Sequence, residues 1–272
     1  MQQMSRSIVA ALSEKRTRRG SMDEDLARFE INPELDLASL RAAYHVSRRV
    51  RVRHFLTARC AEVMYQHLYR RLQWRTFIAA GSTVLGTTRG EVVPGTVTEE
   101  KEILKHAYDG AHDHFAYVHD ADRIFPEDAE DAGESSEREP DALMSAFDEF
   151  INAEAFLQFV RGLTGLEKIQ RAASQATRFR VGQFVGFHSA TQAADKTNKR
   201  RASFFLNLTP EWKPERGGLV GFRTLDADVV DAYVPCFNAL DVVAFPQGYW
   251  IGEIAPFAKN AVYGVAGRLY VR

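Results

Sequence analysis

Apolar positions along the chain follow two different rhythms. Up to about residue 175 they mostly recur every three or four positions, the spacing of a helix face; from Ala176 onward they come in short runs cut by turn residues. Asp36 stands where it would cap a helix beginning Leu37-Ala38-Ser39-Leu40, with Leu37, Leu40 and Tyr44 on one face. Arg49-Val50-Arg51-Val52-Arg53 alternates charged and apolar residues, which predicts a short strand. Thr57 then opens a second helix in which Cys60, Met64, Leu68 and Leu72 recur every fourth residue, a core stripe in which Cys60 and Met64 act as soft hydrophobes. A helical pair is predicted from about Pro140 to Leu163. It carries Leu143, Phe147, Phe150 and Ile151, then Asn152 as a cap before Phe156, Phe159 and Val160.

The β-rich runs cover 177–181, 184–188, 203–208, 219–222, 239–245, 250–252 and 262–266. Breaks fall at Gly182, Thr209-Pro210, Gly217-Gly218, Pro246-Gln247-Gly248 and Ala255-Pro256. Seven short strands at this spacing predict a β-sandwich or barrel with helices packed against it. The expected organisation is a partly flexible lead-in over 1–30 and a single domain over 31–272. Within that domain 31–175 is mainly helical and 176–272 forms the β core.

With 272 residues, 45% of them apolar, the chain buries a sizeable core without staples. Cys60 and Cys236 stand far apart with no CxxC spacing, which argues against a disulfide framework or zinc knuckle. No apolar run is long enough to span a bilayer, and Ile8–Leu12 is too brief for a signal-peptide core, so a cytoplasmic protein is expected. Charge is sorted along the chain. Eight arginines lie between Arg48 and Arg75 against the single acid Glu62, and ten acids lie between Asp120 and Asp141 against Arg123 and Arg138. The acidic stretch, 120–141, reads as a mobile surface loop and the basic one as a solvated helix face that pairs with it. A sequence pI near 6.7 speaks against a nucleic-acid footprint.

Four stretches carry a family resemblance: ATRFRVGQFVGFHS (176–189), RRASFFLNLTPEWKPERGGLVGF (200–222), CFNALDVVAFPQG (236–248) and EIAPFA (253–258). INPELDLASLRAAYHVSRRVRVRHFLTARCAEVMYQHL (31–68) adds an entry helix, strand and helix. Together they resemble the Fe(II)/2-oxoglutarate oxygenases of the bacterial prolyl-4-hydroxylase-like branch. The resemblance implies an α+β fold: a C-terminal double-stranded β-helix (jelly roll) with N-terminal helices packed on it. It also implies a pocket in which two histidines and a carboxylate hold iron, while an arginine clamps the distal carboxylate of 2-oxoglutarate.

At the matching positions this chain departs from the pattern. The His-x-Asp motif corresponds to His188, Ser189 and Ala190, the second histidine to Tyr249, and the arginine to Val262. The eight histidines stand at 45, 54, 67, 106, 112, 114, 119 and 188, so none follows His188. An alanine at the carboxylate position is what the family's halogenating members use, but those keep both histidines and the clamp. Asp195, or Tyr249 as a phenolate, would be non-standard ligands, and Arg268 and Lys259 weak substitutes for the clamp. Arg268 reads more simply as an edge-strand charge, and His112, His114 and His119, within the Asp-rich segment 109–122, as polar surface. Pocket candidates are His188, Ala190, Tyr249, Trp250, Cys236 and Val262, with Cys236 read as a small hydrophobe. His188 with Tyr249 would make an acid–base pair if in reach.

The expected function is a non-catalytic or partner-dependent protein, needing no cofactor and pairing with itself or an oxygenase-like subunit. The alternatives are an oxygenase with a rearranged iron site, which would use Fe(II) and 2-oxoglutarate, and a metal-free enzyme or small-molecule binder using the old pocket.

Overall fold

A computed structural model of the chain describes residues 28–80, 90–92, 97–123, 125, 141–188, 199–224 and 228–271. Asp36 accepts the Ser39 N–H at 3.1 Å and opens α1, Leu37–Ser47. Arg48 closes that helix in the left-handed region at φ 58°, its N–H donating to the Tyr44 carbonyl. β1, Arg49–Arg53, follows as the alternation predicts. α2, Ala58–Arg70, buries Ala61, Met64 and Leu68, so the four-residue stripe is its packing face.

The next segment departs from the helical reading. Here lie β2 (Arg75–Ala80), β3 (Gly90–Val92), α3 (Val97–Ala111) and β4 (Ala116–Ala121). β4 is a strand because it is paired on both sides, and its local sequence, AYVHDA, gives little sign of it. The supposed mobile loop over 120–141 therefore begins inside a strand, with Asp120 fully buried. It ends at Asp141, which accepts from the Leu143 and Met144 N–H groups to cap α4, Ala142–Asn152. Most of that stretch, 124 and 126–140, lies outside the described residues, as does most of the 1–30 lead-in.

Within the basic segment Arg49 pairs with Asp231 and Arg51 with Asp241. α5, Glu154–Thr164, starts from Ala153 rather than Asn152. The Asn152 amide instead donates to the Ala172 carbonyl and accepts its N–H, both at 3.0 Å, fastening α4 to the first strand of the β core.

That core consists of β5 (Ile169–Phe179), β6 (Phe184–His188), β7 (Arg200–Asn207), β8 (Val220–Arg223), β9 (Val229–Tyr233), β10 (Ala239–Ala244), β11 (Tyr249–Ile251) and β12 (Val262–Val271). It begins seven residues earlier than expected, at Ile169 rather than Ala176, and contains an eighth strand, β9, that the apolar pattern did not reveal. β9 escaped because it lies at one end of the strand order with Val229 and Val230 exposed, so little of it is buried.

Hydrogen-bonded neighbours run β1-β10-β7-β12-β5-β4-β6-β11-β8-β9. β5, β12, β7 and β10 form one layer, extended by β1, and β6, β11, β8 and β9 form the other. β4 joins them, pairing with β5 through Asp120–Ala121 and with β6 through Tyr117–Val118. Between the layers Phe179, Val243 and Val262 meet Val220, Phe222 and Ile251. On the outer face of the first layer Leu206, Val242, Val265 and Leu269 pack against Tyr44, Met64, Phe147 and Phe156 of the helices. That layer is thus covered on both faces, which explains why β10 is buried at every position.

The Gly217-Gly218 pair that precedes β8 has a steric origin. Both residues have positive φ, and a Cβ on Gly217 would stand 1.8 Å from the Glu253 carbonyl oxygen.

A buried ion pair ties the entry strand to this core. Arg51 donates from Nε and Nη2 to the two oxygens of Asp241, each at 2.6 Å, and from Nη1 to the Val234 carbonyl; Asn207 donates to the same carboxylate at 2.9 Å. Arg51→Ala is expected to lower unfolding stability by about 3–5 kcal/mol, because it strands a buried carboxylate. Replacing the pair together (Arg51→Met with Asp241→Leu) should recover most of that loss, as read from urea unfolding midpoints. A single variant that unfolds at the parent's midpoint would refute the assignment.

Candidate functional site

The site singled out by the sequence lies where β6 ends and β11 begins. The antiparallel register sets Tyr249 directly opposite His188. The Tyr249 ring meets Phe205 of β7 edge-on, with centroids 5.0 Å apart at 75°. Below it the interior is apolar: Val185, Ile251, Val220, Phe222, Val243, Phe179 and Val262 belong to one packed cluster. Val262 is 6% exposed and sits opposite Phe179 in the β5–β12 ladder.

The other candidates disperse. Trp250, next along β11, turns to the outer face and covers Gly221, where an added Cβ would lie 2.1 Å from the indole. Cys236 lies between β9 and β10 with its Sγ 3.3 Å from Arg53 Nη1, a half-buried thiol beside an arginine rather than a small hydrophobe in the core. Arg268 lies six residues beyond Val262 in β12, about 20 Å along an extended strand. It stacks on Phe125 with its guanidinium 4.0 Å from the ring centroid. β12 runs between β5 and β7, so Arg268 is not the edge-strand charge expected. Ala190 and Asp195 fall outside the described residues.

His119 also departs from its reading as polar surface. It sits in β4 stacked on Phe179, with ring centroids 5.4 Å apart, and burial holds its pKa down to about 4. Its Nδ1 is buried without a hydrogen-bond partner among the described residues. His112, by contrast, is exposed and contacts Asp113.

Asp120, the next residue, gathers four donor side chains that the sequence reading missed. Thr76 Oγ1 (2.9 Å), Arg178 Nε (2.8 Å), Arg180 Nε (2.7 Å) and Gln183 Nε2 (2.8 Å) all donate to it. The signal was the alternation Arg178-Phe179-Arg180, which puts both arginines on the face opposite Phe179. Their shared partner, 58 and 60 residues away in sequence, left no local trace.

Eight strands in two facing layers of four define a double-stranded β-helix, here with helices on its first layer. No protein-family model matches the chain, and no curated protein sequence does either. Solved structures do. A Pseudomonas putida prolyl-4-hydroxylase superposes with a TM-score of 0.52 at 15% identity, covering 87% of this chain and 99% of that one. An oxidoreductase of the 2OG-Fe(II) oxygenase family from Burkholderia pseudomallei gives 0.52 at 14% identity, covering 89% and 93%. A Trichoplax adhaerens prolyl hydroxylase, solved with a hypoxia-inducible-factor peptide fragment, gives 0.51 at 10% identity, covering 86% and 89%. The chain has the fold of the 2-oxoglutarate/Fe(II) oxygenases.

The iron and 2-oxoglutarate implied by that fold do not suit the residues present. An anionic co-substrate needs a cation where Val262 and Phe179 pack together, and no group of three His, Cys, Asp or Glu side chains converges among the described residues.

The buried imidazole makes a pH prediction. Unfolded, His119 takes up a proton near pH 6.5; folded, only near 4. Between those values the unfolded chain holds more protons, so this residue lowers stability as the pH falls. Asp122 works in the opposite sense: burial raises its pKa from 3.8 to about 6 against the pull of Arg123, so the folded chain holds the extra proton. His119→Phe removes the first effect and leaves the second. Relative to the parent, the variant should gain about 2 kcal/mol in urea unfolding between pH 7 and pH 5. An equal response of the two proteins to pH would show that His119 takes up its proton equally in both states and is not held neutral by burial.

Proposed function

We propose that this chain is a non-catalytic relative of the oxygenases, a binding or partner-dependent protein built on their β-helix. The observation that carries this reading is Val262, buried against Phe179 at the position matched to the 2-oxoglutarate arginine. Tyr249 at the second histidine position, with no histidine later in the chain, points the same way. The scaffold survives such losses because strand pairing and interlayer packing do not use the metal-binding side chains. A partner with the fold's chemistry intact, or a second copy of this chain, is the expected company. Among the described residues no helix is long and apolar enough to cross a membrane.

Anaerobic titration with Fe(II) and 2-oxoglutarate tests the proposal, with no stoichiometric iron complex expected, and the same mixture exposed to air is expected to yield no succinate. A tight 1:1 complex with the 2-oxoglutarate charge-transfer band would overturn it in favour of a rearranged iron site. The variant Ala190→Asp, Tyr249→His, Val262→Arg should bind Fe(II) measurably, with affinity still about 10–100-fold short because supporting groups are not tuned. Without metal it should melt below the parent, since an arginine at the buried position 262 lacks a partner, and Fe(II) with 2-oxoglutarate should restore part of the loss.

A further inference from the structure

The end of the β-helix away from Tyr249 and His188 holds a second concave site. β6 runs from the turn after Arg180 up to His188, and β11 runs from Tyr249 down into the connection that carries Lys259. Around these lower connections lies a cavity of about 520 Å³, lined by Lys101, Arg178, Arg180, Lys259, Tyr69 and Tyr263 among others. That size is within the usual range for small-molecule sites.

Its charge is one-sided. Four cations line it, and no acid does so among the described residues. The carboxylate beneath, Asp120, is fully buried and shared by both arginines. The arginines are also held in place. Arg178 lies over the Trp74 ring at 5.0 Å, and both guanidinium groups keep partly exposed surface, 23% and 32% of their side chains.

The wall is not only polar. Tyr69 and Val181, both lining residues, are 54% and 41% exposed, an apolar shelf beside the cations. The arginines turn Nε and Nη2 to Asp120 and add positive charge beside the two lysines, which suits an oxyanion, while an exposed ring and isopropyl group suit a flat organic body.

We propose that this cavity binds a phosphorylated small molecule, its phosphate against Arg178, Arg180, Lys101 and Lys259 and its organic part against Tyr69 and Val181. The site is independent of whether the other end of the β-helix carries chemistry.

Calorimetric titration of the full chain at low ionic strength, with inorganic phosphate and with adenosine monophosphate as probes, tests it. The nucleotide is expected to bind more tightly than inorganic phosphate and to weaken as salt is raised. Lys101→Ala with Lys259→Ala alters two exposed side chains and should leave the ligand-free unfolding midpoint unchanged. Its affinity should fall by on the order of tenfold or more, the scale of losing charged hydrogen bonds. No heat and no thermal shift with either probe at millimolar concentration would overturn the proposal. So would undiminished binding by the double-lysine variant, or a preference for citrate over the nucleotide.

Discussion

A single buried carboxylate holds the two layers of this protein in register. Asp120 lies in β4, the strand that passes from the first layer to the second, and its oxygens are met by side chains from β2, from β5 and from the turn that leads into β6. A buried charge is costly unless every lone pair is used, and here four donor residues use them. The geometry propagates outward. With Arg178 and Arg180 drawn to one face, Phe179 between them turns to the other, where it stacks on His119 and closes over Val262. One ion-pair knot thus shapes both the apolar interior and the cationic cavity at the foot of the β-helix.

The second knot, Arg51 with Asp241 and Asn207, does similar work at the other edge of the first layer. Both knots are made of polar groups that in a surface loop would be worth little, and in both the carboxylate is fully buried. The fold keeps its polar investment in joints between strands. The interior, where an oxygenase would hold its co-substrate, is given to Phe179, Phe222, Val243 and Val262. Stability and iron chemistry draw on different residues, so one set can be kept while the other changes.

Much of the architecture was legible from local pattern. Asp36, the Arg49–Arg53 alternation and the four-residue stripe of α2 carry their structure in their own spacing, and β6 falls on its expected residues, 184–188. The resemblance located His188, Tyr249 and Val262, and the register sets the first two opposite each other. β4 and β9 were not legible. The first is a strand through pairing with β2, β5 and β6, and the second is an end strand with little apolar burial, so neither shows a periodicity of its own.

The polar sites show the same division. By itself the sequence determined which face each residue of a strand would take: Arg178 and Arg180 together, Phe179 opposite, Trp250 away from Tyr249. It also determined, by its count of histidines, that no imidazole follows His188. Only the tertiary structure decided which carboxylate those arginines would share, that His119 would lie neutral in the interior, and that Arg268 would stand in a central strand. The physical reason is range. Side-chain direction follows from backbone geometry over two or three residues, whereas a buried charge takes its partner from whichever strand packing brings beside it, here 58 residues away for Arg178 and 190 for Arg51.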